Sequence, residues 1–145
     1  MDVCLFRVAA DMAERGIIEN PARKRQILRF NNLTYGTITP TDLDGVIEYK
    51  NRAYVFFEIK YRGAQVKYGQ KLALERLVKD SAANDKKSVA IIADHYVDDC
   101  ATDVDAADCK VREIFLFESP QWRATLIELR LGDFIELFLA HYLCE

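Results

Sequence analysis

Asp44, Glu58 and Lys60 are the residues of this sequence whose types and spacing could do chemistry together. Residues 42 to 49 alternate, and residues 53 to 61 are strongly aromatic and aliphatic, with the polar link Lys50-Asn51-Arg52 between them. That pattern predicts a β-hairpin over 42–61. Alternate residues of a strand point the same way. Val55, Phe57 and Ile59 therefore form a wholly apolar face that must be covered, and Tyr54, Phe56, Glu58 and Lys60 form the other. If 50–52 is the loop, Tyr49 faces Ala53, Val46 faces Phe56, and Asp44 falls directly opposite Glu58. A loop of two residues would break that parity and need a bulge to restore it.

Cβ atoms directly opposite across two strands lie about 4.5–5.5 Å apart. Two carboxylates that close repel, and both resist ionisation unless something neutralises them. A divalent cation does so. Mg²⁺ takes oxygen ligands at about 2.0–2.1 Å, using one or two carboxylates with waters and substrate phosphate completing the shell. Lys60 would set a positive charge beside the ion. Plainer readings stand next to this one: Asp44-Gly45 as a turn or bulge pair, and Glu58 and Lys60 as ordinary charges on a solvated strand. Tyr54 and Phe56 on the same face argue for burial. Asp42, which shares a face with Asp44, is an alternative ligand.

The elements that must position these residues can be read from the same patterns. Leu5, Val8, Ala9 and Met12 predict a helix over 2–15, stopped by Gly16. Asn20-Pro21 opens a second helix, to about Phe30. Residues 34–39 read as a strand ended by Pro40. Ala73, Leu74, Leu77 and Val78 give the apolar stripe of a helix over 69–80. A buried strand over 88–93, an acidic loop over 97–108, a strand over 111–117 and a helix over 133–141 follow; the last has Phe134, Leu137, Phe138 and Tyr142 on one side. The expectation is a single α/β domain over 1–145, a mixed central sheet with helices on its faces.

Asp44-Gly45-Val46-Ile47-Glu48, followed after the hairpin by Phe57-Glu58-Ile59-Lys60, resembles the signature of the PD-(D/E)XK nuclease superfamily. The resemblance covers about the first two-thirds of the chain, 2–93, whose element order is similar to that superfamily's αβββαβ, restriction-endonuclease-like core. It implies a metal-dependent nuclease that hydrolyses phosphodiester bonds of DNA. Asp44 and Glu58 would hold Mg²⁺ or Mn²⁺, and Lys60 would orient or polarise the attacking water. Exonuclease-type members carry a glutamine on the next helix, often with a tyrosine four residues on. Gln70 supplies the first, but Leu74 stands at the second, and helix capping is the alternative role for Gln70. The first helix of the family often adds a glutamate, for which Glu14 is the candidate.

Half of the 145 residues are apolar and 30% are charged, a globular composition. No apolar run is long enough for a membrane span, and the N-terminus lacks a basic start and cleavage site, so a cytoplasmic protein is expected. Cys4, Cys100, Cys109 and Cys144 form no C-x-x-C pair and are expected reduced. A zinc site from His95, Cys100 and Cys109 fits no common finger spacing. His95 reads as a strand-end residue and Trp122 as packing or a small interface. The net charge of −3 does not point to nucleic acid. Binding depends on local patches: Arg23, Lys24, Arg25 and Arg29 cluster early on, as a solvated helix face or a phosphate-contacting one, and Lys67 and Lys71 after the hairpin are further candidates for the DNA backbone. Asp94, Asp98, Asp99, Asp103, Asp105 and Asp108 crowd a stretch that would repel DNA and could meet a basic protein. No base-reading motif is visible, RNA is not separated from DNA, and a homodimer or larger complex would be needed to hold a second strand. The competing reading is a catalytically silent module of the same fold that binds or inhibits a partner.

Overall fold

Five strands form one mixed sheet in the order β1-β2-β3-β4-β5. They are β1 (Gly45–Tyr49), β2 (Ala53–Tyr61), β3 (Lys87–His95), β4 (Lys110–Leu116) and β5 (Ser119–Ala124). The computed structural model describes residues 17–27 and 29–143. The helix expected over 2–15, with Glu14, lies outside these residues. The chain divides into two compact units, Met1–Pro40 and Thr41–Glu145, and the sheet belongs to the second.

In the first unit, Pro21–Lys24 forms a single helical turn, α1, capped by Asn20 Oδ1, which accepts from the Arg23 amide at 3.1 Å. The helix expected to run to Phe30 is therefore shorter. None of its residues is buried, and one turn without a packed face gains little to extend it. The strand expected over 34–39 does not form either. Tyr35 and Ile38 make an isolated bridge across a turn in which Gly36 takes φ 65°. β-branched residues favour a strand only where a partner pairs with it.

The hairpin has the expected register: Tyr49 faces Ala53, Val46 faces Phe56 and Gly45 faces Phe57. Lys50 and Asn51 take positive φ in the turn, which the Arg52 amide closes onto the Tyr49 carbonyl at 2.9 Å. β2 and β3 are parallel, so the chain crosses over between them, and α2 (Tyr68–Ala83) makes the crossing. Leu74 and Val78 of α2 are fully buried against Phe56, Ala90 and Phe115. Leu77, expected in that stripe, is 37% exposed and faces outward. β3 sits at the centre of the sheet, and 88–94 are buried on both faces, which explains its unbroken apolar run.

The C-terminal helix, α3, spans Leu131–Leu143 and buries Leu131, Phe138, Leu139 and Leu143. Leu137 is mostly exposed, so the buried stripe lies one step from the expected one. β5 was not expected because Pro120 falls inside it. It is an edge strand, where proline costs no ladder bond, and the register shifts between Phe115 and Leu116 so that Pro120 and Gln121 are unpaired. Trp122 faces Phe115, packs on the core, and its Nε1 donates to Glu75 Oε1 at 2.8 Å. Among the described residues no helix is long and apolar enough to cross a membrane.

Candidate functional site

Tyr54, Phe56, Glu58 and Lys60 of β2 lie on the face covered by α2. Tyr54 and Phe56 pack there with the core, and the charged pair follows where the strand leaves the helix's apolar stripe. Glu58 is 4% exposed. Its Oε1 accepts from Lys60 Nζ at 2.6 Å and from Gln70 Nε2 at 3.0 Å. Gln70 Oε1 in turn accepts from Lys60 Nζ at 3.3 Å, and Gln70 Nε2 also reaches the Asp42 carbonyl at 3.4 Å. Gln70 sits in the first turn of α2, so the crossover helix is what brings its amide onto the sheet.

Asp44 precedes β1, and continuing the ladder by one residue sets it opposite Glu58. Its side chain is tied down: Oδ2 accepts the Ile59 amide at 2.7 Å. That amide is the next one the ladder would pair, and the carboxylate takes it where the strand ends. Asp44, Glu58, Lys60 and Gln70, all expected from sequence, are thus brought together. Asp42 contributes its main-chain carbonyl to Gln70 and keeps its side chain exposed.

Burial pushes the Glu58 carboxyl above the usual carboxylate range. The charge of Asp44 adds to the rise, and the hydrogen bonds from Lys60 and Gln70 oppose it without cancelling it. Oε2 of Glu58 is buried and, among the described residues, accepts no hydrogen bond. Two carboxylates meet here, not more: among the described residues no group of three or more His, Cys, Asp and Glu is placed to hold a metal ion.

Asp94, Arg112 and Glu113 extend the site across the sheet and were not singled out as site residues from sequence. Asp94 is the register partner of Lys60 in the parallel β2–β3 pair, so the two side chains share a face. Ile92 faces Glu113 while Ala93 faces Val111, which makes Arg112 the extra residue of a β-bulge. The bulge re-aims the Arg112 guanidinium toward Asp94 (Nη1 to Oδ1, 3.5 Å) and the Ala64 carbonyl (Nη2, 3.0 Å). Among the described residues, the buried side-chain nitrogen and oxygen atoms without a hydrogen bond are Glu58 Oε2, Asp94 Oδ1 and Arg112 Nε. They sit on three successive strands. No sequence period marks a bulge, so the alignment of Arg112 with Asp94 had no readable signal.

The candidate DNA-contacting residues belong to both units, Lys67 and Lys71 to the second and the arginine-rich cluster to the first. Lys67 is exposed at the start of α2. Lys71 is half-buried, paired with Glu113 at 2.8 Å and 5.0 Å over the Trp122 ring, so its charge is already used. Arg23, Lys24, Arg25 and Arg29 are exposed in the first unit. The acidic stretch is largely engaged locally. Asp98 takes two hydrogen bonds from Arg62 and one from Tyr61, Asp99 caps Ala101 and Thr102, Asp105 caps a 3₁₀ turn (Ala106–Asp108), and Asp108 pairs with Arg130. His95 is the last residue of β3, its ring tilted against that of Tyr61 with the centroids 5.4 Å apart.

Set against known protein families, curated proteins and solved structures, the chain has no match in any of the three comparisons.

Proposed function

We propose that the unit over 41–145 is a metal-dependent nuclease with a restriction-endonuclease-like core, hydrolysing phosphodiester bonds of DNA. One observation carries this reading: a buried carboxylate oxygen, Glu58 Oε2, accepts no hydrogen bond and belongs to the residue opposite Asp44. Leaving a buried acceptor empty is costly. A cation held between Glu58 and Asp44 removes that cost and the repulsion between the two acids. Two carboxylates suffice for Mg²⁺ when waters and phosphate complete the shell. Such an ion, when bound, lowers the pKa of a water and neutralises phosphate charge.

The chain's own residues supply the rest. Asp44 is held at the site by the Ile59 amide, which fixes one carboxylate relative to the other. Lys60 orients the attacking water and offsets negative charge that builds on the phosphate oxygens. Gln70 bridges Glu58 and Lys60 and keeps Glu58 from rotating away. Lys67 contacts the DNA backbone in this unit; Arg23, Lys24, Arg25 and Arg29 are the candidates of the first unit, taken by itself. Lys71 is the weakest of these candidates, being paired to Glu113.

A second reading is a silent module of this fold, and one observation favours it. Lys60 already pairs with Glu58 at 2.6 Å, so the charges compensate one another without an ion. Incubating plasmid, single-stranded and branched DNA with the wild-type chain in Mg²⁺, Mn²⁺ or EDTA separates the two. Metal-dependent cutting that disappears in Glu58→Ala supports the nuclease. Intact DNA in every condition supports the module.

A further inference from the structure

Of the groups in the polar row across the sheet, Asp94 has the least obvious reason to be there. It is 5% exposed, and among the described residues its Oδ1 accepts no hydrogen bond and has as its cationic partner Arg112 Nη1, 3.5 Å away. Arg112 makes its hydrogen bond elsewhere, to the Ala64 carbonyl. A buried carboxylate held this loosely costs stability that a neutral residue would not. Atoms of this kind call for an explanation in function.

Lys60 supplies one. It is the register partner of Asp94, on a strand about 4.8 Å away and on the same face. Its side chain is 20% exposed, which leaves the ammonium room to swing. Its present partner is Glu58 Oε1. A divalent cation on Glu58 Oε2 repels that ammonium and draws charge away from Oε1, which weakens Oε1 as its acceptor.

We infer that Asp94 is the positioning residue for Lys60: when a divalent cation occupies Glu58, the Lys60 ammonium exchanges Glu58 Oε1 for the empty Oδ1 of Asp94. The exchange keeps the cationic head beside the ion, where the attacking water is oriented, instead of releasing it to solvent. It also explains why Arg112 is drawn off by Ala64: a tight Arg112–Asp94 pair would fill the acceptor. This inference rests on the metal-site reading above and assigns how that site changes state.

The test is a calorimetric titration of Mg²⁺ and of Mn²⁺ into the wild type, Asp94→Asn, Lys60→Met and the double variant. Asp94→Asn removes one negative charge and weakens cation binding somewhat in any background. The exchange predicts that the loss is about tenfold larger when Lys60 is present, the worth of one hydrogen bond to a charged group. Asp94→Glu, which keeps a charged acceptor where Asn keeps only a neutral amide oxygen, recovers part of it. Equal losses with Lys60 and with Met at position 60 would reduce Asp94 to a counter-ion of Arg112 and overturn the inference, leaving the metal site standing. No binding by the wild type overturns both. If Asp94→Asn fails to fold with Arg112 left facing a neutral amide, Asp94→Asn with Arg112→Met carries the same comparison.

Discussion

Asp44 Oδ2 accepts the main-chain amide of Ile59 at 2.7 Å, so the first carboxylate is anchored to the link between Glu58 and Lys60. The side chain does there what a longer β1 would have done with its backbone. Asp44→Asn keeps an oxygen for the amide and loses the charge. Asp44→Ala loses both. Melting curves are expected to place Asn close to wild type and Ala about 1–2 kcal/mol lower, while both lose cation binding. Equal stability of the two variants would mean that the anchor contributes nothing.

The Glu58 carboxyl is held above its ordinary range by burial. Below the unfolded-state value both folded and unfolded chains are protonated, and this group has no influence. As pH rises through the folded-state value, the folded chain ionises a poorly solvated carboxylate and stability falls. Glu58→Gln removes that decline. Melting temperatures measured without metal from pH 4 to 8 should therefore converge at the acid end and separate toward neutral pH, with the variant more stable. Curves that stay parallel across the range would contradict the assignment.

Gly45 faces Phe57, and a Cβ at Gly45 would lie 2.0 Å from the Phe57 Cζ. The ring covers the glycine on the edge strand, a known way to stabilise such a position. Gly45→Ala should cost about 1–3 kcal/mol, because ring or strand must shift. Adding Phe57→Leu should recover most of that loss, which chemical denaturation can measure. No recovery would show that the clash is with the backbone and not with the ring.

Leu74 is fully buried beneath α2, the helix that carries Gln70 onto Glu58 and Lys60. Leu74→Ala should destabilise by about 2–5 kcal/mol in urea unfolding. Cation affinity at a temperature where the variant is folded should fall by less than in Glu58→Gln, since the helix is loosened and no ligand is lost. A stability change under 1 kcal/mol would mean that the packing seen against Phe56 and Ala90 carries little energy.

The part of this site that follows a period was legible in the sequence. Strand alternation and the polar link at 50–52 placed Asp44 opposite Glu58 and put Lys60 on the same face, because a register with one buried face admits no slip. Gln70 was reached through the family resemblance and not through a period. Asp94 and Arg112 were not legible, since their meeting depends on a parallel pairing and a bulge that join residues distant in sequence. Pro120 hid β5 because it argues against a strand anywhere but on an edge, and edges are decided by the whole sheet. The turn at 35–38 failed in the opposite way, with strand-like residues and no strand to pair with.

The metal site stands or falls on a calorimetric titration of Mg²⁺ into the wild-type chain and into Glu58→Gln. A cation held by Glu58 gives saturable binding by the wild type at pH 8, and its loss in a variant that remains folded. Heats that are identical for the two proteins, or absent from both, would show that the empty oxygen of Glu58 is not a metal ligand.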